Sequence, residues 1–186
     1  MTINTLNKEP QPSIWEELKW HPSKEQLEQF KKLQYLLSEL NEKLNLTRLI
    51  EGDDYWVTQV FDSIWPLTKE LNQPNIKYNL VDVGSGCGFP GLAIAIALPN
   101  AQVTLIEATN KKKEALEFIT NELGLATKVK VRHERVEITG RNPSFRNVFD
   151  IAMARAVGKD SVVAEYLVPL IKNNGEAILF KGKWEQ

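Results

Sequence analysis

Leu27, Phe30, Leu33, Leu37, Leu40 and Leu44 recur at spacings of 3, 3, 4, 3 and 4. That period draws one apolar stripe along an amphipathic helix of about six turns. Ser23 with Gln26 three positions later predicts a capping box at its start. A shorter helix, Ile14 to Trp20, is predicted ahead of it, opened by Ser13 with Glu16 and broken by His21-Pro22. A third, capped by Asp53 or Asp54, carries Trp56, Val57, Val60, Phe61, Ile64 and Trp65 until Pro66 kinks or restarts it. Asn72-Gln73-Pro74-Asn75 is turn chemistry and marks a join.

Beyond that join the period changes. Leu80-Val81-Asp82-Val83 is a short apolar strand, and Leu92 to Leu98 a buried helix. Val103 to Ile106 is a second strand ending at Glu107, and Asn110 to Leu123 a helix closed by Gly124. Val129-Lys130-Val131 and Val148 to Ala154 are further strands, Ser161 to Ile171 a helix, and Glu176 to Phe180 a fifth strand. Strands alternating with helices predict βαβ units in a parallel, doubly wound α/β sheet. The chain divides into an N-terminal helical cap, residues 1–78, and a Rossmann-like domain, residues 79–186.

The chemistry gathers where the first strand meets its helix. The segment reads Asp82-Val83-Gly84-Ser85-Gly86-Cys87-Gly88-Phe89-Pro90-Gly91. Glycines let the backbone turn sharply and let a ligand approach main-chain atoms. Glu107, at the end of the next strand, can accept both hydroxyls of an adenosine ribose. Two frames fit. Gly86-x-Gly88-x-x-Gly91 matches a dinucleotide fingerprint. Asp82-x-Gly84-x-Gly86-x-Gly88 matches the nucleotide loop of S-adenosylmethionine-dependent methyltransferases. Asp82 favours the second, because a carboxylate is awkward beside a pyrophosphate but suits an ammonium and a sulfonium. A tight turn with no ligand is the third reading.

Composition adds exclusions. Among 186 residues, 42% hydrophobic and 25% charged describe a soluble globular chain. One cysteine, Cys87, forms no internal disulfide, and two histidines beside it make a poor zinc set. Leu92 to Leu98 is too short to span a bilayer, and Met1 to Pro12 holds no signal-peptide core, so a cytoplasmic protein without membrane or metal partners is expected. Net charge is −1 but uneven. Residues 1–107 hold 9 Lys/Arg against 14 Asp/Glu, and residues 108–186 hold 14 against 10. The basic part includes Lys111-Lys112-Lys113, Lys128, Lys130, Arg132, Arg135, Arg141 and Arg146, spaced as cations meeting RNA phosphates are, or simply solvated. Trp15, Trp20, Trp56, Trp65 and Trp184 read mostly as core or helix-packing residues.

Further motifs carry a resemblance. Asn45-Leu46-Thr47, Phe61-Asp62-Ser63-Ile64, the Gly-Phe-Pro-Gly end of the loop, Arg135-Val136-Glu137, Ala154-Arg155-Ala156 and Lys181-Gly182 occur in this order. Over about Ser23 to Gly182 the chain resembles the bacterial small-subunit ribosomal RNA guanine-N7 methyltransferases, the RsmG or glucose-inhibited division protein B family. The resemblance implies a Rossmann-like S-adenosylmethionine-dependent methyltransferase domain and methyl transfer to N7 of a guanine in 16S ribosomal RNA or the 30S subunit. It implies cofactor contacts from Gly84, Phe89, Glu107, Ala108, Thr109, Val136, Glu137 and Arg155, with Asp82 and Gly86 of the loop frame beside them, and places Arg155 nearest the reaction. Lys111, Arg135, Arg141 and Lys181 are the candidate RNA contacts. Where the family usually shows a basic residue and a histidine, this chain has Thr58 and Gln59, so no histidine role carries over.

Guanine N7 carries a lone pair and no proton, so its methylation needs alignment and desolvation rather than a general base. Arg155 then reads as a binder of cofactor, phosphate or the guanine O6 edge, or alternatively as the partner of Asp150 or Asp82 in a structural ion pair. Two other functions fit the same fold, a small-molecule methyltransferase and a non-catalytic RNA- or ribosome-binding module. The fold implied by the resemblance continues past the fifth strand with a helix and a hairpin, whereas only Lys181 to Gln186 follow here. The expectation is a shortened family member whose fifth strand is left as an unpaired edge that favours self-association or lowers stability.

Overall fold

The computed structural model describes residues 10–181. Gly182 and Trp184 lie outside the described residues. The order is α1 (Pro12–Glu17), α2 (Lys24–Leu44) and a π-helical stretch (Asp54–Phe61) that runs into α3 (Asp62–Ile64). A 3-10 turn (Trp65–Leu67) and α4 (Thr68–Leu71) follow, then β1 (Asn79–Val83), α5 (Gly91–Ala97), β2 (Gln102–Glu107) and α6 (Asn110–Glu122). The chain continues with β3 (Val129–His133), α7 (Val136–Thr139), β4 (Phe149–Arg155), α8 (Asp160–Leu167) and β5 (Ile171–Phe180).

All five strands are parallel, in the order β3-β2-β1-β4-β5. The order reverses between β1 and β4, the switch point where open α/β sheets bind ligands at their carboxyl ends. The central strands β1, β2 and β4 are buried on both faces and read as near-continuous apolar runs, whereas β3 and β5 are largely half-buried or exposed. Side chains alternate between two cores. Leu80, Val103, Leu105, Ile151 and Met153 pack on the side of α2, α5 and the π stretch. Val81, Val83, Ile106, Ala152 and Ala154 pack on the side of Val163 and Leu167 in α8. By that alternation Asp82, Glu107 and Arg155 fall on the first face, under the N-terminal helices. Trp15, Phe30 and Trp56 anchor that layer as an aromatic cluster with ring centroids 6.3–6.4 Å apart.

The start of α2 is as its sequence predicts. Ser23 Oγ accepts from the Gln26 backbone N–H, and Gln26 Oε1 accepts from the Ser23 N–H. Gln26 Nε2 also donates to the carbonyls of Ile96 and Ala97, at 2.8 and 3.0 Å, and so closes the end of α5.

Several elements differ from expectation. Helix α1 starts at Pro12 with Gln11 as its N-cap, so Ser13 lies inside it and the Ser13–Glu16 box does not form. Proline is favoured in a first turn, where its missing N–H costs nothing. The stretch after Asp53 winds as a π-helix, and Asp53 makes no side-chain cap bond to it. A 3.6-residue period therefore misplaces its side chains. Val57 and Trp65 are 38% and 56% exposed rather than core. Helix α8 ends at Leu167, and Ile171 instead opens β5 opposite Phe149. The register then slips, so that Ile151 faces Glu176. Among the described strands β3 and β5 are the two edges.

Candidate active site

The loop after β1 is held from beneath. Gly84 and Ser85 donate their N–H groups to the Ile106 carbonyl at 2.9 and 3.1 Å. Gly84 has φ +70°, and a Cβ there would stand 2.7 Å from Val157 Cγ2, so glycine is required. Asp82 is fully buried below the loop. Its Oδ2 accepts from the Gly91 N–H at 3.0 Å, and its Oδ1 has no partner. Burial pushes its carboxyl up to about 6. Asp82 lines neither cavity described below; it holds the loop to the helix. Glu107, 6% exposed, does similar work across the loop, with Oε2 accepting from Gly86 N–H at 2.9 Å and Oε1 from Thr109 N–H at 2.7 Å.

Two cavities meet at Gly84. The smaller, about 170 Å³, lies among Ala108, Arg135, Val136, Glu137 and Tyr166. Tyr166 Oη donates to Glu137 Oε1 at 3.0 Å. The Glu137 backbone N–H and that hydroxyl hold the carboxyl below its usual range. The larger, about 460 Å³, is lined by Gly86, Cys87, Phe89, Arg155, Phe180 and Lys181 among others. The smaller gives a largely apolar slot beside the glycine turn, whose N–H groups are already bonded within the protein, and the larger has a cationic end. A nucleoside fits the slot with its 5′ substituent running along the turn toward the larger cavity, and S-adenosylmethionine has that shape.

Arg155 is fixed on three sides. Nη1 donates to the Thr58 carbonyl at 3.2 Å and to Gln59 Oε1 at 3.1 Å, and Nη2 donates to Ser63 Oγ at 3.1 Å. The Phe180 ring lies under the guanidinium, 4.7 Å from its carbon. Gln59 is itself held, its Nε2 donating to Thr47 Oγ1 at 3.1 Å and lying 3.9 Å from Cys87 Sγ. Ser63 Oγ donates to the Gln59 carbonyl. Burial pulls the Arg155 guanidinium down from its ordinary value, with Asp62 and then Asp82 opposing. Arg155 forms no ion pair with Asp150 or Asp82; Asp150 instead pairs with Lys172 and accepts from the Asn79 N–H. The structural ion-pair alternative is therefore excluded.

The structure brings Gly84, Gly86, Phe89 and Arg155 to the larger cavity, and Ala108, Val136 and Glu137 to the smaller, while Glu107 and Thr109, bonded together, line neither. Of the candidate RNA contacts, Lys181 lines the larger cavity and pairs with Asp160, and Arg135 lines the smaller. Arg141 stands beside Arg146 on an adjoining hollow. Within the lysine triplet it is Lys112, not Lys111, that lines the cavity, while Lys113 pairs with Glu117 at 2.7 Å. Sequence reasoning missed Thr47, Gln59, Asp62 and Ser63. Three of these sit in motifs or positions already singled out, Asn-Leu-Thr and Asp-Ser; Gln59 was set aside because it is not histidine.

A parallel 3-2-1-4-5 sheet with this loop and these paired cavities defines a Rossmann-like S-adenosylmethionine-dependent methyltransferase. Solved structures agree on the fold. A candidate S-adenosyl-L-methionine-dependent methyltransferase from Methanococcus maripaludis superposes with a TM-score of 0.53 at 16% identity, over 81% of this chain and 63% of that one. A candidate caffeoyl-CoA O-methyltransferase from Staphylococcus aureus gives 0.57 at 17%, over 78% and 65%. The family model for rRNA small subunit methyltransferase G (GidB) matches residues 26–186. A relative named ribosomal RNA small subunit methyltransferase G in Prochlorococcus marinus is 51% identical over 99% of this chain and 73% of its own. The protein of that name in Synechococcus sp. (strain CC9902) is 55% identical over 95% and 73%. The chain belongs to the rRNA small subunit methyltransferase G family, and it is an rRNA methyltransferase that uses S-adenosylmethionine.

Proposed function

We propose that the smaller cavity and the Gly84–Gly86 turn hold S-adenosylmethionine, and that the larger cavity holds a guanine of 16S ribosomal RNA for methylation at N7. The observation that carries this reading is the meeting of the two cavities at Gly84, with Arg155 facing the larger one. When bound, the cofactor supplies an electrophilic methyl group on a sulfonium. The chain's own residues bind, orient and exclude water. Val136 and Ala108 would flank the adenine, and Glu107, which already holds the Gly86 and Thr109 N–H groups, would offer its remaining lone pairs to the ribose. Arg155 donates to the guanine O6 edge. N7 needs no base, and Cys87, whose thiol burial pushes up, is a poor thiolate nucleophile.

Lys112, Arg135 and Lys181 on the cavity walls, with Arg141 on the adjoining hollow, approach RNA phosphates. No helix of the described residues is long and apolar enough to cross a membrane. The reading takes the protein to the cytoplasm, where ribosomal subunits are its partner. The test is transfer of labelled methyl from S-adenosylmethionine to purified 30S subunits and to naked 16S RNA, with the modified base mapped. 7-Methylguanosine at one position is expected. Transfer only to small molecules, or no cofactor binding, would overturn the reading.

A further inference from the structure

Asp62 is the one acidic side chain among the residues lining the larger cavity. It opens α3, whose N-cap is Phe61 with no side-chain bond. Lys112, Arg155 and Lys181 share the cavity, yet among the described residues the Asp62 carboxylate accepts no hydrogen bond and closes no ion pair. Its neighbours Gln59 and Ser63 are spent on Arg155. Burial pushes the carboxyl up, and Arg155 pulls it back. Asp62 is exposed at the cavity mouth, so its carboxylate meets solvent there and is open to a ligand that donates.

If the larger cavity takes guanine, as proposed above, the base presents edges of opposite sense. N7 and O6 accept, whereas N1–H and the 2-amino group donate. Arg155 has donors alone and an ionised Asp62 acceptors alone. We infer that Asp62 is the residue that selects guanine: its carboxylate accepts the N1 and 2-amino hydrogens while Arg155 serves O6. Adenine has a lone pair at N1 and no 2-amino group, so it would leave the carboxylate repelled and unpaired. The contact also strengthens along the reaction. As N7 takes the methyl group the ring becomes cationic, its N1–H and 2-amino hydrogens become more acidic, and the carboxylate opposite them gains more than in the ground state.

The test begins with the guanine mapped from wild-type product; absence of that product defeats the function, not this assignment. Small subunits are then rebuilt with guanine or inosine at that position, inosine lacking only the 2-amino group. The wild type is expected to lose about tenfold or more in kcat/KM on inosine, as a charge-assisted hydrogen bond removed from one side does. Asp62→Ala is expected to start about tenfold or more lower on guanine and to lose less than about twofold further on inosine. Asp62→Asn is expected to fall in the same direction on guanine, because its carbonyl accepts only one of the two hydrogens while its NH2 sets a donor against the other. Full activity of Asp62→Ala, discrimination retained in it, or no discrimination by the wild type overturns the inference. Calorimetry with S-adenosylmethionine tests the rival use of the carboxylate on the cofactor's ammonium. Affinity within about twofold of wild type is expected, and a loss of about tenfold, the size of one charge-assisted bond, overturns guanine selection.

Discussion

Arg155 donates through Nη1 to Gln59 Oε1 at 3.1 Å, and the same amide reaches back through Nε2 to Thr47. An arginine from the end of β4 is thus aimed by a glutamine from the N-terminal helices. The amide needs both of its ends, an acceptor for a donor-only guanidinium and a donor for the threonine oxygen. Gln59→Leu, similar in volume, is expected to lower kcat by about tenfold, the worth of one charge-assisted bond. In an Arg155→Lys background, where the shorter, single-nitrogen head cannot be clamped, adding Gln59→Leu should cost less than about twofold. Equal losses in both backgrounds would mean that Gln59 does not act through Arg155.

Glu107→Ala should weaken S-adenosylmethionine binding by about 1–3 kcal/mol, since it removes the ribose acceptor and frees the Gly86 and Thr109 N–H groups. Titration calorimetry measures this directly. Wild-type affinity in the variant would remove Glu107 from the cofactor site.

Asp82 gives a pH signature. Its carboxyl rises from 3.8 to about 6 in the folded chain, chiefly through burial. A raised carboxyl stabilises the fold below its unfolded value, and that stability is lost as pH climbs from about 4 through about 6. Above that window the buried charge costs about 3 kcal/mol at most. Asp82→Asn, which keeps an acceptor for the Gly91 N–H, should gain on the wild type in urea midpoint between pH 4 and pH 7. A constant difference across that range would refute the assignment.

Gln26→Ala should lower stability by about 1–3 kcal/mol, more than an exposed cap alone, because the Ile96 and Ala97 carbonyls at the end of α5 lose their donor. Denaturant melts of Gln26→Ala and Ser23→Ala separate the two roles, since the serine serves only its own helix. Equal losses would deny the second role.

How much of this could be read from the residues depended on which period governed each segment. Leu80 to Val83 and Val103 to Ile106 are apolar runs closed by glycine or acid, and both are strands within a residue of where they were expected. The glycine loop was legible because its spacing has one backbone solution between strand and helix. The π-wound stretch was not, since a helical wheel of the wrong pitch puts Val57 and Trp65 inward and says nothing of Gln59. Ile171 read as the end of a helix and Glu176 as the start of a strand, yet Ile171 to Gly175 belong to that strand, which slips its register there. Asp82 looked like a ligand group because charge beside a glycine loop suggests one. Its depth under Gly91, which only packing reveals, makes it an anchor.

The wide winding of Asp54–Phe61 has a genetic corollary. A π turn is an α turn with a residue inserted, so removing one residue from this stretch would let it relax to ordinary pitch. The turns on either side would then keep their facing, because the residue removed is the extra one that the wide turn absorbs. Gln59 and Ser63, three or four positions apart in either winding, would still share one face toward β4 and keep the guanidinium in its seat. A codon lost at the half-exposed Val57 should therefore be far better tolerated than one lost from the middle of α2, where nothing absorbs it and one side swings by about 100° around the axis.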